Sequence, residues 1–507
     1  MTFAARTLLL ALPLVIAGCA TPLPQVSQTE SYALAPDTNQ QAWEAIRTLQ
    51  QAHPGQSGVY PISDGREAFI ARLHAATDAQ ASIDLQTYIY RDDDTGRAVL
   101  WSLWQAAERG VRIRLLLDDM QTSGNDEALV LLHQHPNIQV RLFNPFTKRQ
   151  WRGLELIGSF DRTNRRMHNK AFIVDNSVAI TGGRNIGDEY FDASHDVAFG
   201  DFDVLLIGPA VIDISTQFDD YWNSDYAIAV DALLDAQPIA NRDDITRTFE
   251  QRIETDKKQQ QAYINSLYQT ELVAHLERGE LPLYWSDARV IADSPHKANS
   301  DGTESSLMVD ALEKEFRHSS DSLLLVSPYF VPGQAGADNL VAMAERGLSI
   351  SIITNSLAAT DVVAVHSGYQ GYRRQLLKAG IALYETKRRP GVKPGSWAAS
   401  SRASLHAKTM VFDHRTLFVG SFNLDPRSAQ INTEMGVLFD SPQLAELMTQ
   451  SLLQQLPKFT YRLSLEDDEL RWHDDQNGTV LTTEPDASVW RRMGAWLMTW
   501  LPIEDQL

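Results

Sequence analysis

Cysteine is almost missing from this 507-residue sequence: Cys19 stands alone, so it can form no intramolecular disulfide and no cysteine-based metal site. Positive charge is also scarce. The 45 lysines and arginines are outnumbered by 65 aspartates and glutamates, giving a formal net charge of −20. That balance argues against a nucleic-acid partner, which is normally held by a broad basic face that releases counterions from phosphates. It leaves room for a deep, locally basic pocket, and an acidic surface also serves plain solubility. Near the N-terminus the apolar run Leu8 to Ala17, behind Arg6, is too short to span a bilayer comfortably and reads as an export signal.

That run closes on Ile16-Ala17-Gly18-Cys19, which resembles the lipobox of bacterial lipoproteins. The resemblance implies a signal peptide over residues 1–18, acylation of Cys19 and a lipidated tether over 19–50, with the body beside a bacterial membrane on its periplasmic side. Ala20 in place of an acidic residue points to the outer membrane. The alternative is an ordinary cleaved signal with an incidental cysteine. Pro22 to Asn39 is polar and suits a flexible link.

With 43% apolar residues the chain can build more than one core. An internal echo supplies the architecture. Ala107-Glu108-Arg109-Gly110 returns 237 residues later as Ala344-Glu345-Arg346-Gly347, each time with a strand-like run after the glycine and another upstream, at Ala81–Tyr90 and Ser322–Phe330. Strand, helix, strand implies βαβ units and a largely parallel sheet. The expected fold is therefore α/β, duplicated, with domains over 51–225 and 301–455. Residues 226–300 read as a mostly helical connector, and 456–507 as a C-terminal extension.

The chemistry sits in a second echo. Met167-His168-Asn169-Lys170 leads through an apolar run to Asp175 and on to Gly182-Gly183-Arg184-Asn185. Leu405-His406-Ala407-Lys408 leads likewise to Asp413 and Gly420-Ser421-Phe422-Asn423. His to Lys is two residues, Lys to Asp five and Asp to Asn ten in both copies, and the histidines are 238 apart. Each copy predicts two strands joined by a tight Asp-led turn, with His and Lys on one strand face. A neutral imidazole can attack a phosphodiester phosphorus while a fixed ammonium offsets charge on the non-bridging oxygens. A second pair brings a general acid for the leaving alkoxide and a further cation, and Asn185 and Asn423 add amide donors. One His-x-Lys pair arises by chance on exposed strands; two full copies at matched spacing do not. A lysine beside each histidine would repel a divalent cation, so metal-free catalysis is expected and no cofactor is implied.

On these motifs the chain resembles the phospholipase D superfamily. Longer stretches, among them Leu115-Leu116-Leu117-Asp118-Asp119, Ile353-Thr354-Asn355-Ser356 and Gly420-Ser421-Phe422-Asn423-Leu424-Asp425-Pro426-Arg427-Ser428, are similar to bacterial cardiolipin synthases of the C type. The resemblance spans about residue 51 to the C-terminus. It implies one active site between two duplicated domains, with His168 as nucleophile and His406 as acid and base. Lys170, Lys408, Asn185, Asn423 and Ser421 would hold phosphate, Asp201 and Glu434 would orient the histidines, and Asp175 and Asp413 would be structural. Gly183 departs from the family pattern, which has serine there. The implied reaction moves a phosphatidyl group onto phosphatidylglycerol, with phosphatidylglycerol or phosphatidylethanolamine as donor; any accessory protein is left open. A hydrolytic phospholipase D would use the same intermediate with water as acceptor. A nuclease would call for a basic surface, and a non-catalytic membrane scaffold for loss of a motif residue.

Basic residues before each motif suit anionic headgroups: Lys148, Arg149, Arg152, Arg162, Arg165 and Arg166 in one half, Lys387, Arg388, Arg389, Lys393 and Arg402 in the other. The tryptophan-rich segment from Val489 to Pro502 reads either as interfacial or as a packed terminal helix.

Overall fold

The computed structural model describes residues 22–36, 41–194, 198–234, 242–299, 305–388, 403–501 and 504–507. Cys19, Arg389, Lys393 and Arg402 lie outside the described residues.

Twenty strands are formed among them. The first half supplies β1 (Ser57–Ile62), β2 (Ser82–Thr87), β3 (Arg112–Asp118), β4 (Ile138–Phe143), β5 (Ala171–Val174), β6 (Val178–Gly182), β7 (Ala198–Gly200), β8 (Asp203–Ile207) and β9 (Ala227–Ala229). The second supplies β10 (Tyr284–Ala292), β11 (Ser322–Val326), β12 (Ser349–Asn355), β13 (Ala382–Thr386), β14 (Ala403–Leu405), β15 (Thr409–Phe412), β16 (Thr416–Gly420) and β17 (Met435–Asp440). It ends with β18 (Thr460–Glu466), β19 (Glu469–Asp474) and β20 (Thr479–Leu481).

Both expected βαβ units are present. Helix Asp94–Glu108 stops before Gly110, whose φ of 95° is a turn no other residue adopts cheaply, and β3 then lies parallel to β2. Helix Gly333–Glu345, Gly347 at φ 101° and the parallel β11–β12 pair repeat the unit. Around each unit the order is the same: β1-β8-β6-β5-β2-β3-β4-β9 in one half and β10-β17-β16-β15-β11-β12-β13-β18 in the other. The halves join where β1 pairs antiparallel with the start of β10, Ser57 opposite Ser286.

Helices Pro209–Trp222 and Pro442–Phe459, each opened by a proline whose missing N–H is no loss there, fill a core shared by both sheets. Further cores cover the outer faces, so the central strands are buried on both sides and read as continuous apolar runs.

Three stretches differ from the sequence reading. The connector holds helices Arg242–Gln259, Gln261–Leu267 and Glu271–Arg278, but its last part is β10, which pairs with β17 and begins the second sheet. Ser286 and Asp287 interrupt its apolar pattern and hide it. The C-terminal extension likewise gives β18 to the edge of β13, with β19 and β20 beyond. Residues 22–36, expected to be a flexible link, lie on the first half. Arg112, Arg114 and Arg141 donate to the carbonyls of Tyr32, Ser31 and Thr29 at 2.8, 2.6 and 2.8 Å. Polar composition says nothing about such contacts, because the backbone makes them.

Each motif hairpin turns through two residues with positive φ, Asp175-Asn176 and Asp413-His414. The Asp175 carboxylate accepts from the backbone of Gln80, Ala81 and Ser82 at 2.7–2.8 Å and from Trp43 Nε1 at 2.8 Å. Asp413 accepts from Ser320, Asp321 and Ser322. Burial works against ionisation of Asp413, but those three N–H groups outweigh it and hold the carboxyl below its ordinary 3.8. We expect Asp175→Ala to lower unfolding free energy by about 2–4 kcal/mol and half-exposed Asp413→Ala by about 1–2 kcal/mol, measured by denaturant titration. The Asp413 increment, full above pH 4, should vanish as pH falls through its lowered folded value.

Candidate active site

Neither His-x-Lys segment lies within a strand of its own sheet, as the spacing had predicted; each is an extended stretch just before β5 or β15. The reason is that their backbones bond to the opposite half. His168 N donates to Thr433 O at 2.9 Å and Thr433 N to Arg166 O at 3.0 Å, while His406 N donates to Gly200 O at 2.8 Å beside the parallel β7–β14 pair. Those contacts bring in the carboxylates. His168 Nδ1 meets Glu434 Oε2 at 2.9 Å, and His406 Nδ1 meets Asp201 Oδ2 at 2.6 Å. With Nδ1 engaged, the chemistry of each ring falls to Nε2.

Around the rings stand two tyrosines that no motif announces. Tyr88 lies edge-on to His168 at 5.2 Å, and Tyr190 edge-on to His406 at 5.4 Å. Lys170 Nζ reaches the carbonyl of its own histidine at 2.5 Å, and Lys408 Nζ that of His406 as well as His406 Nδ1 at 3.1 Å. Both lysines are buried, and among the described residues neither pairs with a carboxylate within salt-bridge distance. Burial, aided by Lys408, pushes Lys170 down to about 7, and burial pushes Lys408 down to about 8 against the pull of Asp201 and Glu434. Asn185 Oδ1 accepts from Ile89 N at 3.1 Å, whereas its Nδ2 is buried without a partner; Asn423 Oδ1 is in the same position. A phosphate bearing negative charge would meet two cations and the Asn185 Nδ2 donor here, whereas the unpartnered atom of Asn423 is an acceptor.

The two sides are not equivalent. Ser421, read as a phosphate contact, instead donates its hydroxyl to Glu434 and accepts from Met435 N at 3.0 Å, fully buried behind His168. A hydroxyl inside that wall satisfies a carboxylate that water cannot reach. On the other side Gly183 leaves space that Asp201 fills: a Cβ on Gly183 would lie 2.1 Å from Asp201 Oδ1. Arg184 also holds the Asp201 carbonyl at 2.8 Å. Burial pushes Glu434 up to about 7, and burial with Lys170 drives His168 well below its ordinary value. Burial would raise Asp201 too, but His406 and Lys408 outweigh it and keep the carboxylate ionised. His406 is lowered by burial and Lys408, with Asp201 pulling the other way.

Most of the basic stretch before the first motif is structural. Arg149 and Arg152 pair with Asp119 and Asp126, Arg162 with Glu155, and Arg166 with Asp118, which also accepts from Met167 N at 2.8 Å. Arg165 donates to the carbonyls of Lys297 and Gln430 at 3.1 Å, and Lys148 is exposed. In the second half Lys387 pairs with Asp474, and Arg388 is exposed.

Paired His-x-Lys segments, cross-braced by carboxylates on a duplicated α/β body, define the phospholipase D class. The family profile described as cardiolipin synthase, PLD-like domain, matches residues 72–222 and 312–456. The chain belongs to that family. It is 40% identical to cardiolipin synthase C of Escherichia coli K12 over 91% of this chain and 98% of that one. It is also 34% identical to an uncharacterized protein of Helicobacter pylori 26695, over 87% of this chain and 88% of that one. The solved phosphatidylserine synthase of Haemophilus influenzae Rd KW20 shares the fold, with a TM-score of 0.58 at 14% identity over 92% of this chain and 100% of that one.

Two outcomes follow from this geometry. Gly183→Ser should displace Asp201 and cut activity roughly 100-fold or more, and adding Asp201→Glu, which copies the Ser421–Glu434 side, should recover part of it; kinetics of the single and double variants check this. The buried lysines bind fewer protons folded than unfolded between about pH 7 and 10.5, so they cost stability below that window and the cost fades as pH rises. Inorganic phosphate should therefore raise the thermal midpoint more at pH 6.5 than at pH 9, and Lys170→Met should stabilise the free protein while weakening that response, with Lys408 left to carry the remainder.

Proposed function

We propose that this protein is a phosphatidyltransferase that makes cardiolipin from phosphatidylglycerol through a phosphohistidine intermediate, working at a bacterial membrane. The observation that carries the reading is the pair of histidines, each braced through Nδ1 by a carboxyl group of the opposite half, with a buried lysine beside each ring. His168, when its Nδ1–H donates to Glu434, keeps on Nε2 the lone pair a nucleophile needs. His406, against an ionised Asp201, is the one that can accept and return a proton.

In the first half-reaction His168 Nε2 bonds to the donor phosphorus, the bond from phosphorus to the headgroup oxygen breaks, and His406, entering the cycle as the imidazolium held by Asp201, gives its Nε2 proton to the departing alcohol. In the second, His406 takes the proton of a phosphatidylglycerol hydroxyl, whose oxygen bonds to phosphorus as the bond to His168 breaks. Lys170, Lys408, Asn185 and Asn423 bear on the non-bridging oxygens throughout. The donor is phosphatidylglycerol, releasing glycerol, or phosphatidylethanolamine, releasing ethanolamine. An acyl group on Cys19 would tether the body to the membrane on its periplasmic side.

Incubation with labelled phosphatidylglycerol, with and without phosphatidylethanolamine, tests this. Cardiolipin should form with the protein and disappear with His168→Ala. His406→Ala should lose roughly 1,000-fold with natural donors but far less with a nitrophenyl donor, whose leaving group needs no proton. Phosphatidic acid as the sole product would make water the acceptor and overturn the transferase reading.

A further inference from the structure

Exposed large apolar side chains gather in two places among the described residues. Trp151, Leu154, Ile157 and Phe160 stand on and beside helix Arg152–Gly158, with Trp151 65% and Ile157 69% exposed. Trp490, Met493, Trp496, Leu497, Trp500 and Leu501 form a stripe along helix Val489–Met498 and the turn after it, with Trp490 76% and Trp500 74% exposed. The second set follows the spacing of one helical face. Single exposed apolar residues are ordinary on a protein surface, but two dense ridges are not.

Both ridges are tied to the catalytic centre. The first runs through Thr163 and Arg165 directly into the His168 segment, held by Asn144 Nδ2 donating to Arg162 O and Arg165 O at 2.9 and 2.8 Å. The second is pinned by Arg491, which donates to Thr360 O and, at 2.7 Å, to Leu357 O. That loop continues to Asp361, which accepts from Tyr329 and whose charge bears on Lys408. The last residues of the chain reach the foot of the first ridge, where Asn164 donates to Gln506 Oε1 at 2.9 Å and Arg427 N to Leu507 O at 2.7 Å. Lys148 on one side and Arg388 on the other add exposed positive charge to an otherwise acidic surface.

The N-terminal strap points the same way. From Leu34, whose carbonyl accepts from Asn176 at the hairpin turn, it passes Gln28, bonded to Ala227 O at 2.8 Å, and reaches Leu23, which lines one cavity with Tyr226. Tyr226 O accepts from Asn144 N at 2.7 Å, which places that end of the strap on the first ridge's side. Cys19 is four residues further on in the sequence.

We propose that the two ridges are one membrane-seating rim, inserted side by side into the interfacial layer of an anionic leaflet so that the His168–His406 centre opens onto the headgroups. Tryptophans with flanking arginine or lysine suit that layer, where an apolar body and a wet polar edge are both satisfied. The rim rests on the lipid-substrate reading above, and it adds a surface to which no motif belongs.

The test uses the full chain with vesicles of phosphatidylglycerol and phosphatidylcholine, followed by flotation and by quenching of tryptophan fluorescence with brominated acyl chains. Leu154→Ser/Ile157→Ser and Trp496→Ser/Trp500→Ser should each weaken vesicle binding roughly tenfold, and together more than either alone. Both double variants should keep wild-type turnover of a monomeric, short-chain phosphatidylglycerol while losing turnover on vesicles. Unchanged flotation of the combined variant, or tryptophans beyond the reach of brominated chains, would overturn the rim. So would a change in oligomeric state in place of vesicle binding, which would make these ridges a contact between copies. Vesicle binding is read without catalysis, so a protein that seats on lipid yet makes no cardiolipin would refute the transferase reading and leave the rim standing.

Discussion

Each histidine of the two His-x-Lys motifs is completed by the other half of the chain. His168 belongs to the first sheet and its carboxyl partner Glu434 to the second; His406 and Asp201 reverse the arrangement. Much of the architecture serves that exchange. The pairing of β1 with β10 joins the sheets, the helices after β8 and β17 fill one shared core, and the backbone bonds of Thr433 and Gly200 fix the two histidine segments across the seam. A half-molecule would retain a His-x-Lys motif and lose the group that aligns its ring. The constraint is strict because a buried imidazole with no Nδ1 partner has neither a fixed tautomer nor a fixed orientation.

Duplication produces symmetry, and chemistry needs its breach. Two identical histidines would compete for the same role. Here one side chain makes the difference: Ser421 backs Glu434, whereas Gly183 makes room for the shorter Asp201. Burial pushes the longer carboxyl, which accepts from the Ser421 hydroxyl, up to about 7, while His406, Lys408 and Arg184 outweigh burial and hold the shorter one ionised. Two similar environments thus push the carboxyls behind the two histidines in opposite directions. Gly183, which matches Ser421 of the second half, is what allows the second environment.

The sequence carried the local and periodic features well. The two hairpins, both glycine-terminated helices, the parallel units and the spacing of the histidines were all legible, because each follows from residues a few positions apart or from a repeat. What was not legible depends on long-range neighbours. Which carboxyl faces which histidine is decided 266 and 205 residues away along the chain. The hydroxyl of Ser421 and most arginines of the first basic stretch looked like phosphate ligands, yet they are satisfied by Glu434, Asp119, Asp126 and Glu155. β10 has a mixed face, and the strap is held by carbonyls, so neither leaves a pattern of side chains to read.

Cross-half completion is open to direct measurement by 15N nuclear magnetic resonance of the histidine rings, with His168 and His406 assigned by single substitution. Glu434→Gln should shift the ring nitrogens and the titration of His168 and leave His406 largely unmoved, while Asp201→Asn should do the reverse. A carboxyl substitution that instead moved the histidine of its own half, or moved both equally, would contradict the account.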